Sequence, residues 1–152
     1  MAGEIDNLID RANIVDVINT LFVGTDNRNW DVVRNCFAPS VLFDMSSLGA
    51  GEPHHMTPNE IVAAWDAGLK PMQAIHHQVG NYLVTVDGPK SASAFCYGIA
   101  IHYLPNPTHA NTRTFVGSYD FGLTKENGRW KIEKFKFTLK YVDGNLKLET
   151  SI

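Results

Sequence analysis

From Ile75 to Tyr141 the chain offers four long strand-like segments in succession, and its helical patterns all lie before them. The segments are Ile75–Val86, Ala92–Leu104, Arg113–Thr124 and Trp130–Tyr141. They are separated by Asp87-Gly88-Pro89, by Pro105-Asn106-Pro107 and by Asn127-Gly128, the last a strong hairpin signal between two alternating runs. Strands in a row, with helices segregated ahead of them, predict an α+β domain: an antiparallel sheet with the helices on one face.

Three helices are expected. In the first, from about Glu4 to Val23, Ile5, Leu8, Ile9, Ala12, Val15, Ile18, Leu21 and Phe22 recur at steps of three and four and read as one buried stripe. Asp6, Asp10, Arg11, Asp16 and Asn19 fill its other faces. After Gly24-Thr25 a shorter helix begins near Asn29, presents Trp30, Val33 and Phe37 on one side, and is ended by Pro39. Val41–Met45 reads as a short strand, and Ser46–Met56, rich in Gly, Ser and His, as a loop placed to cover a pocket. Thr57-Pro58-Asn59-Glu60 is a helix start with a threonine cap, an early proline and a glutamate three residues on. That third helix carries Ile61, Val62, Trp65 and Leu69 and stops at Gly68–Pro71.

The segment Ala92–Leu104 constrains shape further. Ala92, Ala94, Cys96, Gly98, Ala100 and His102 share one face, while Phe95, Tyr97, Ile99, Ile101 and Tyr103 share the other. Small side chains cannot fill the gap to a helix alone, so bulky neighbours fill it or a cavity remains. The aromatic face would otherwise lie in water, which points to a second copy: a homodimer, with a trimer as the alternative.

A chain of 152 residues is one domain long, 1–152, and buries a core without staples. Its net charge of −3 argues against nucleic acid as a partner, because phosphate binding needs a basic face. No apolar run approaches the ~20 residues of a membrane span. The acidic start MAGEIDNLID is unlike a signal peptide, so a cytoplasmic location is the default. Cys36 and Cys96 sit in apolar surroundings and read as buried thiols. Phosphate loops, dinucleotide fingerprints, nucleophile elbows and zinc-binding helices are all missing, so no cofactor and no metal are expected.

Few titratable groups point inward. Asp26 continues the stripe of Ile18 and Phe22 if the first helix runs that far; otherwise it holds a bend in Thr25-Asp26-Asn27-Arg28. His76 and His77 are adjacent in a strand and must face opposite sides. His102 lies on the small-residue face, either as a hydrogen-bonded core group or as a catalyst. An aspartate with two histidines in one cavity favours catalysis, since imidazole titrates near neutrality and a carboxylate fixes its tautomer. Tyr119 is a candidate hydrogen-bond donor to a substrate oxygen. His54 and His55 read as surface histidines, Lys134 and Lys136 as a solvated face. Asp44 is left aside, because Val41, Phe43 and Met45 look like the buried parity.

Three stretches resemble a known family: IVDVINTLFVGTDNRNWDVVRNCFAPSV (Ile14–Val41), HHQVGNYLVTVDG with its His77-x-x-x-Asn81 spacing, and GSYDFGL followed by NGRWKI. Together they resemble the polyketide-cyclase (SnoaL-like) branch of the nuclear-transport-factor-2-like superfamily. The resemblance implies a cone-shaped, strongly curved, mainly antiparallel sheet packed on three N-terminal helices around a single pocket. Scytalone dehydratase offers the nearest catalytic analogy. It implies Asp26, His77 and His102 as catalytic residues, with Asp26 paired to His102 and His77 acting on the substrate. Tyr119, Asn81, Trp65 and Phe22 are then the substrate-binding candidates. The tyrosines that position water in that enzyme have no match, since Leu21 and Phe22 stand in this first helix. The expected activity is a cofactor-independent lyase or isomerase acting on a small cyclic ketone or hydroxyketone; the alternative is a binding or scaffold module of the same fold, without turnover.

Overall fold

A computed structural model describes residues 3–151. Its helices are α1 (Glu4–Asp26), α2 (Trp30–Asn35) and α3 (Pro58–Leu69). The strands are β1 (Phe37–Asp44), β2 (His54–Met56), β3 (Ala74–Gly88), β4 (Ser91–Tyr103), β5 (Thr112–Glu126) and β6 (Arg129–Gly144). They form one open six-stranded sheet in the order β2-β1-β6-β5-β4-β3. The pairing is antiparallel throughout except where β1 runs parallel to β6. The four long strands are therefore the meander that the turn signals predict, and the helices cover one face. Register breaks in β1, β3 and along β5–β6 mark the bulges that bend such long strands.

Helix α1 departs from its expected stripe. Ile5, Leu8 and Ile9 are exposed, as is Ala12, whereas Asp10, Ile14, Ile18, Leu21 and Phe22 are buried. Asp10 is buried because it has partners: Trp130 Nε1 donates to its Oδ1 at 2.9 Å, and Lys125 Nζ does so at 3.0 Å. These bonds, led by the indole, hold the Asp10 carboxyl below the usual carboxylate range. A polar anchor thus sets the helix's rotation against a count of apolar residues. At the other end, Gly24 does not break the helix. A Cβ there would lie 3.1 Å from Val33, so the glycine lets α2 cross closely. Thr25 turns its hydroxyl back onto Leu21 O at 2.8 Å, and the helix reaches Asp26.

Proline 39 does not simply end a helix; it sits inside β1, within the gap in pairing between Phe37 and Leu42, where no N–H is needed. The expected loop 46–56 contains a 3-10 turn, Ser46–Leu48, and the short edge strand β2, which carries His54 and His55 in exposed positions. Thr57 caps α3 by accepting from Glu60 N. Asp44 is buried after all, held by the backbone N–H and hydroxyl of Ser46, and it stays outside the cavity described below. Cys36 and Cys96 are buried free thiols, pushed up by burial to about 11 and about 12.

On β4 the small residues Ala92, Ala94, Cys96 and Ala100 face the core. A Cβ at Gly98 would fall 2.2 Å from Tyr119 Cε2, so the tyrosine ring fills the space that the glycine leaves. The opposite face of β4 is open, with Tyr97 and Ile99 exposed.

Candidate functional site

The helices and the sheet enclose a cavity of about 340 Å³, within the range of small-molecule sites. Its walls are mostly apolar and aromatic: Phe22 from α1, Trp65 and Leu69 from α3, Met45 and Leu48, and Phe115, Tyr119, Phe135 and Phe137 from β5 and β6. Besides the hydroxyls of Thr25 and Tyr119, four polar side chains join this lining: His77, His102, Arg113 and Glu149. The Tyr119 hydroxyl has no hydrogen-bond partner among the described residues, and burial pushes its phenol above the ordinary value, so it stays a neutral donor.

Sheet register gathers the polar group. His77 pairs with Ala100 and Ile75 with His102, so the two histidines are diagonal neighbours on one face of β3 and β4. Arg113 of β5 lies directly opposite His102. From the helical side, the extension of α1 brings Asp26 against His77. Its Oδ1 is 2.6 Å from His77 Nδ1, and its Oδ2 accepts the His77 backbone N–H at 2.8 Å. A carboxylate facing Nδ1 makes that nitrogen the protonated one, leaving the Nε2 lone pair free. The His77 ring stacks on Phe22 with centroids 5.2 Å apart.

The pairing inferred from the dehydratase resemblance is thereby corrected. Asp26 pairs with His77, not with His102. His102 Nδ1 instead faces Arg113 Nη2 at 3.0 Å, and Arg113 is bound through both terminal nitrogens to Glu149, at 2.9 and 2.5 Å. Burial, followed by the Arg113 charge, lowers His102 from its ordinary 6.5 to about 4. Phe22, Trp65 and Tyr119 line the cavity, as does each histidine of the expected trio, while Asp26 stands behind His77.

Asn81 lies elsewhere. Counting alternate residues from His77 through Val79 places Asn81 inward, but β3 is irregular between Gly80 and Leu83, and Asn81 has φ +57°. The extra residue switches the strand's parity: Tyr82 and Val84 turn in, and Asn81 is exposed on a shallow depression of the outer face beside Tyr97 and Lys140.

Arg113 and Glu149 were missed by the sequence reading. Arg113 shares the parity of Phe115 and Tyr119, a signal that extending the alternation by one step would have found. Glu149 had no such signal. It sits in a C-terminal 3-10 turn, Leu148–Thr150, anchored by Leu148, which is fully buried against Met72 and Ile75. Glu149 is held below the ordinary carboxylate value chiefly by its hydrogen bonds from Arg113.

The half-buried His102 carries a prediction. The unfolded chain takes up this proton near 6.5 and the folded one only near 4, so the unfolded state binds more protons between those values. Stability therefore falls as pH drops through that window, by on the order of 3 kcal/mol. Denaturant unfolding at pH 7 and pH 4.5 reads this, and His102→Gln should flatten the slope. Asp10, Asp44 and Glu149, all held low, lose their contributions as pH falls through their unfolded values of 3.8, 3.8 and 4.5, so only the lower edge of the His102 window overlaps theirs.

The SnoaL-like domain family matches residues 6–136. The chain belongs to the SnoaL-like family. Among solved structures, this SnoaL-like protein is similar to the Kfla4162 protein of Kribbella flavida, at 23% identity and TM-score 0.89, over 95% of this chain and 99% of that one. It is also similar to hexachlorocyclohexane dehydrochlorinase LinA-type3 of Novosphingobium barchaimii, at 14% identity and TM-score 0.80, over 95% of each chain. A scytalone dehydratase-like protein of Novosphingobium aromaticivorans matches at 13% identity and TM-score 0.78, over 91% of this chain and 89% of that one. At such identities the likeness is one of fold. No curated protein sequence matches the chain significantly. Among the described residues no helix is long and apolar enough to cross a membrane.

Proposed function

We propose that the protein is a cofactor-independent lyase or isomerase that removes a proton next to the carbonyl of a small, neutral cyclic ketone or hydroxyketone. The observation that carries this reading is the Asp26–His77 pair at the wall of an aromatic cavity that His102 also lines. His77 Nε2 has no partner among the described residues and serves as the base. The C–H electron pair moves into an enolate, whose oxygen takes hydrogen bonds from His102 or the Tyr119 hydroxyl. The imidazolium formed at His77 then gives its proton to a departing β-hydroxyl, which leaves as water, or to another carbon, which completes an isomerisation. Asp26 faces that imidazolium and stabilises it. Two of the structural neighbours bear names for eliminations, of hydrogen chloride and of water, which is the same class of step.

Neutrality of the ligand follows from charge. Arg113 and Glu149 compensate each other across a bidentate pair and the Asp26 carboxylate is taken up by His77, so the site leaves no free charge for an ionic guest to pair with and favours an uncharged one. Thermal shift with neutral cyclic ketones, hydroxyketones and polyphenols tests the reading, because a ligand that binds only the folded state raises the melting temperature. A hit in the wild type that weakens in His77→Ala is expected; silence from every ketone class would overturn the proposal.

A further inference from the structure

We propose that Arg113 and Glu149 are positioning residues that lock His102 as its Nε2–H tautomer, making it a neutral hydrogen-bond donor into the cavity. The assignment deepens the proposed function, since it gives the two histidines opposite roles in one site. A guanidinium has donors and no acceptor, so the nitrogen it faces, Nδ1 of His102, must carry the lone pair. The ring proton then resides on Nε2, which has no partner among the described residues and is not sealed from the cavity. His77 is the reverse case: the Asp26 carboxylate claims the Nδ1 proton and leaves Nε2 as an acceptor. One histidine presents a lone pair and its diagonal neighbour presents an N–H, which suits a base and an oxyanion donor acting on the same carbonyl compound.

The geometry of the relay explains each part. Glu149 grips both terminal nitrogens of Arg113, so the fork has a fixed plane and Nη2 is aimed at His102. Arg113 also lies 5.5 Å from the Phe115 ring centroid, a further constraint on the same plane. Its Nε is buried without a partner among the described residues, so every directed bond of the side chain runs through the two terminal nitrogens. The charged and titratable groups facing His102 are Arg113 from β5, Glu149 from the C-terminal turn, His77 from β3 and Asp26 from α1. Arg113 and His77 oppose its protonation; Glu149 and Asp26 favour it.

The test is long-range proton–nitrogen correlation spectroscopy of the histidine rings across a pH titration, without substrate. In the wild type, His102 should show a protonated Nε2 and a bare Nδ1, persisting down to its midpoint near 4. Arg113→Met should mix the tautomers and move the midpoint up toward 6.5. Glu149→Gln should move it down, because the carboxylate that offsets Arg113 is gone. A wild-type His102 bearing its proton on Nδ1 overturns the proposal, whether or not the variants fold. So does an Arg113→Met protein whose tautomer and midpoint are unchanged. The spectrum is read without turnover, so failure to find any reaction would sink the proposed activity and leave this result standing.

Discussion

Asp26→Asn should leave the fold's stability nearly unchanged and lower turnover by roughly 10²–10⁴. The two bonds made by Asp26 dictate this separation. Oδ2 accepts the backbone N–H of His77, so an asparagine must keep its carbonyl oxygen there. Its amide NH₂ then faces His77 Nδ1, in the place of Oδ1. Both hydrogen bonds survive, but the second reverses its direction: the side chain donates and Nδ1 accepts. The ring proton shifts to Nε2, and the lone pair that abstracts the substrate proton is lost. Exchange of α-protons of cyclic ketones in D₂O, followed by NMR, measures the base without requiring the complete reaction. His77→Ala should abolish enzyme-dependent exchange in the same assay. Undiminished exchange in Asp26→Asn would exclude the Asp26–His77 pair as the working base.

How much of this was legible in the chain depends on what fixed each residue's direction. The meander was readable because its turns carry Asp-Gly-Pro, Pro-Asn-Pro and Asn-Gly chemistry and its strands alternate. The inward face of β4 was readable too, since Ala92, Ala94, Cys96 and Ala100 are buried on it and Gly98 among them leaves the space that the Tyr119 ring fills. Helix α1 was misread where tertiary bonds outweigh hydrophobicity: Asp10 is buried by Trp130 and Lys125, more than a hundred residues away, and Ile5, Leu8 and Ile9 are left outside. Asn81 was misplaced by a single inserted residue, which a count of alternation cannot see.

The site shows the same division. That His77 and His102 share a cavity was inferable from strand parity and from the family resemblance, but their partners were not. Choosing between Asp26–His102 and Asp26–His77 requires the crossing of α1 over β3, a long-range distance. Glu149 comes from a turn whose position depends on Leu148 docking under Ile75, a contact 73 residues apart in sequence with no local signature. The sequence thus conveys which residues face inward better than it conveys which of them touch.

Glu149 also decides what charge the cavity accepts, and its replacement should change ligand selection. In the wild type the Arg113 guanidinium spends two donors on Glu149 and one on His102, so a carboxylate ligand meets a site already neutralised. Glu149→Gln removes the negative charge and keeps a side chain of nearly the same volume. The guanidinium then faces an apolar cavity uncompensated, where a bidentate bond to a carboxylate is strong. An aromatic carboxylate should therefore bind the variant more tightly than the wild type. A charge-assisted bond is worth about 1.5–3 kcal/mol, or roughly 10- to 100-fold in Kd. The neutral ketone of the same shape should change little, because it makes no use of that charge. Calorimetry with such a matched pair gives both numbers. Gained affinity for the acid alone, fading as salt is added, would assign Glu149 as the residue that keeps anions out. An equal change for acid and ketone would mean instead that the C-terminal turn had come loose and the cavity with it.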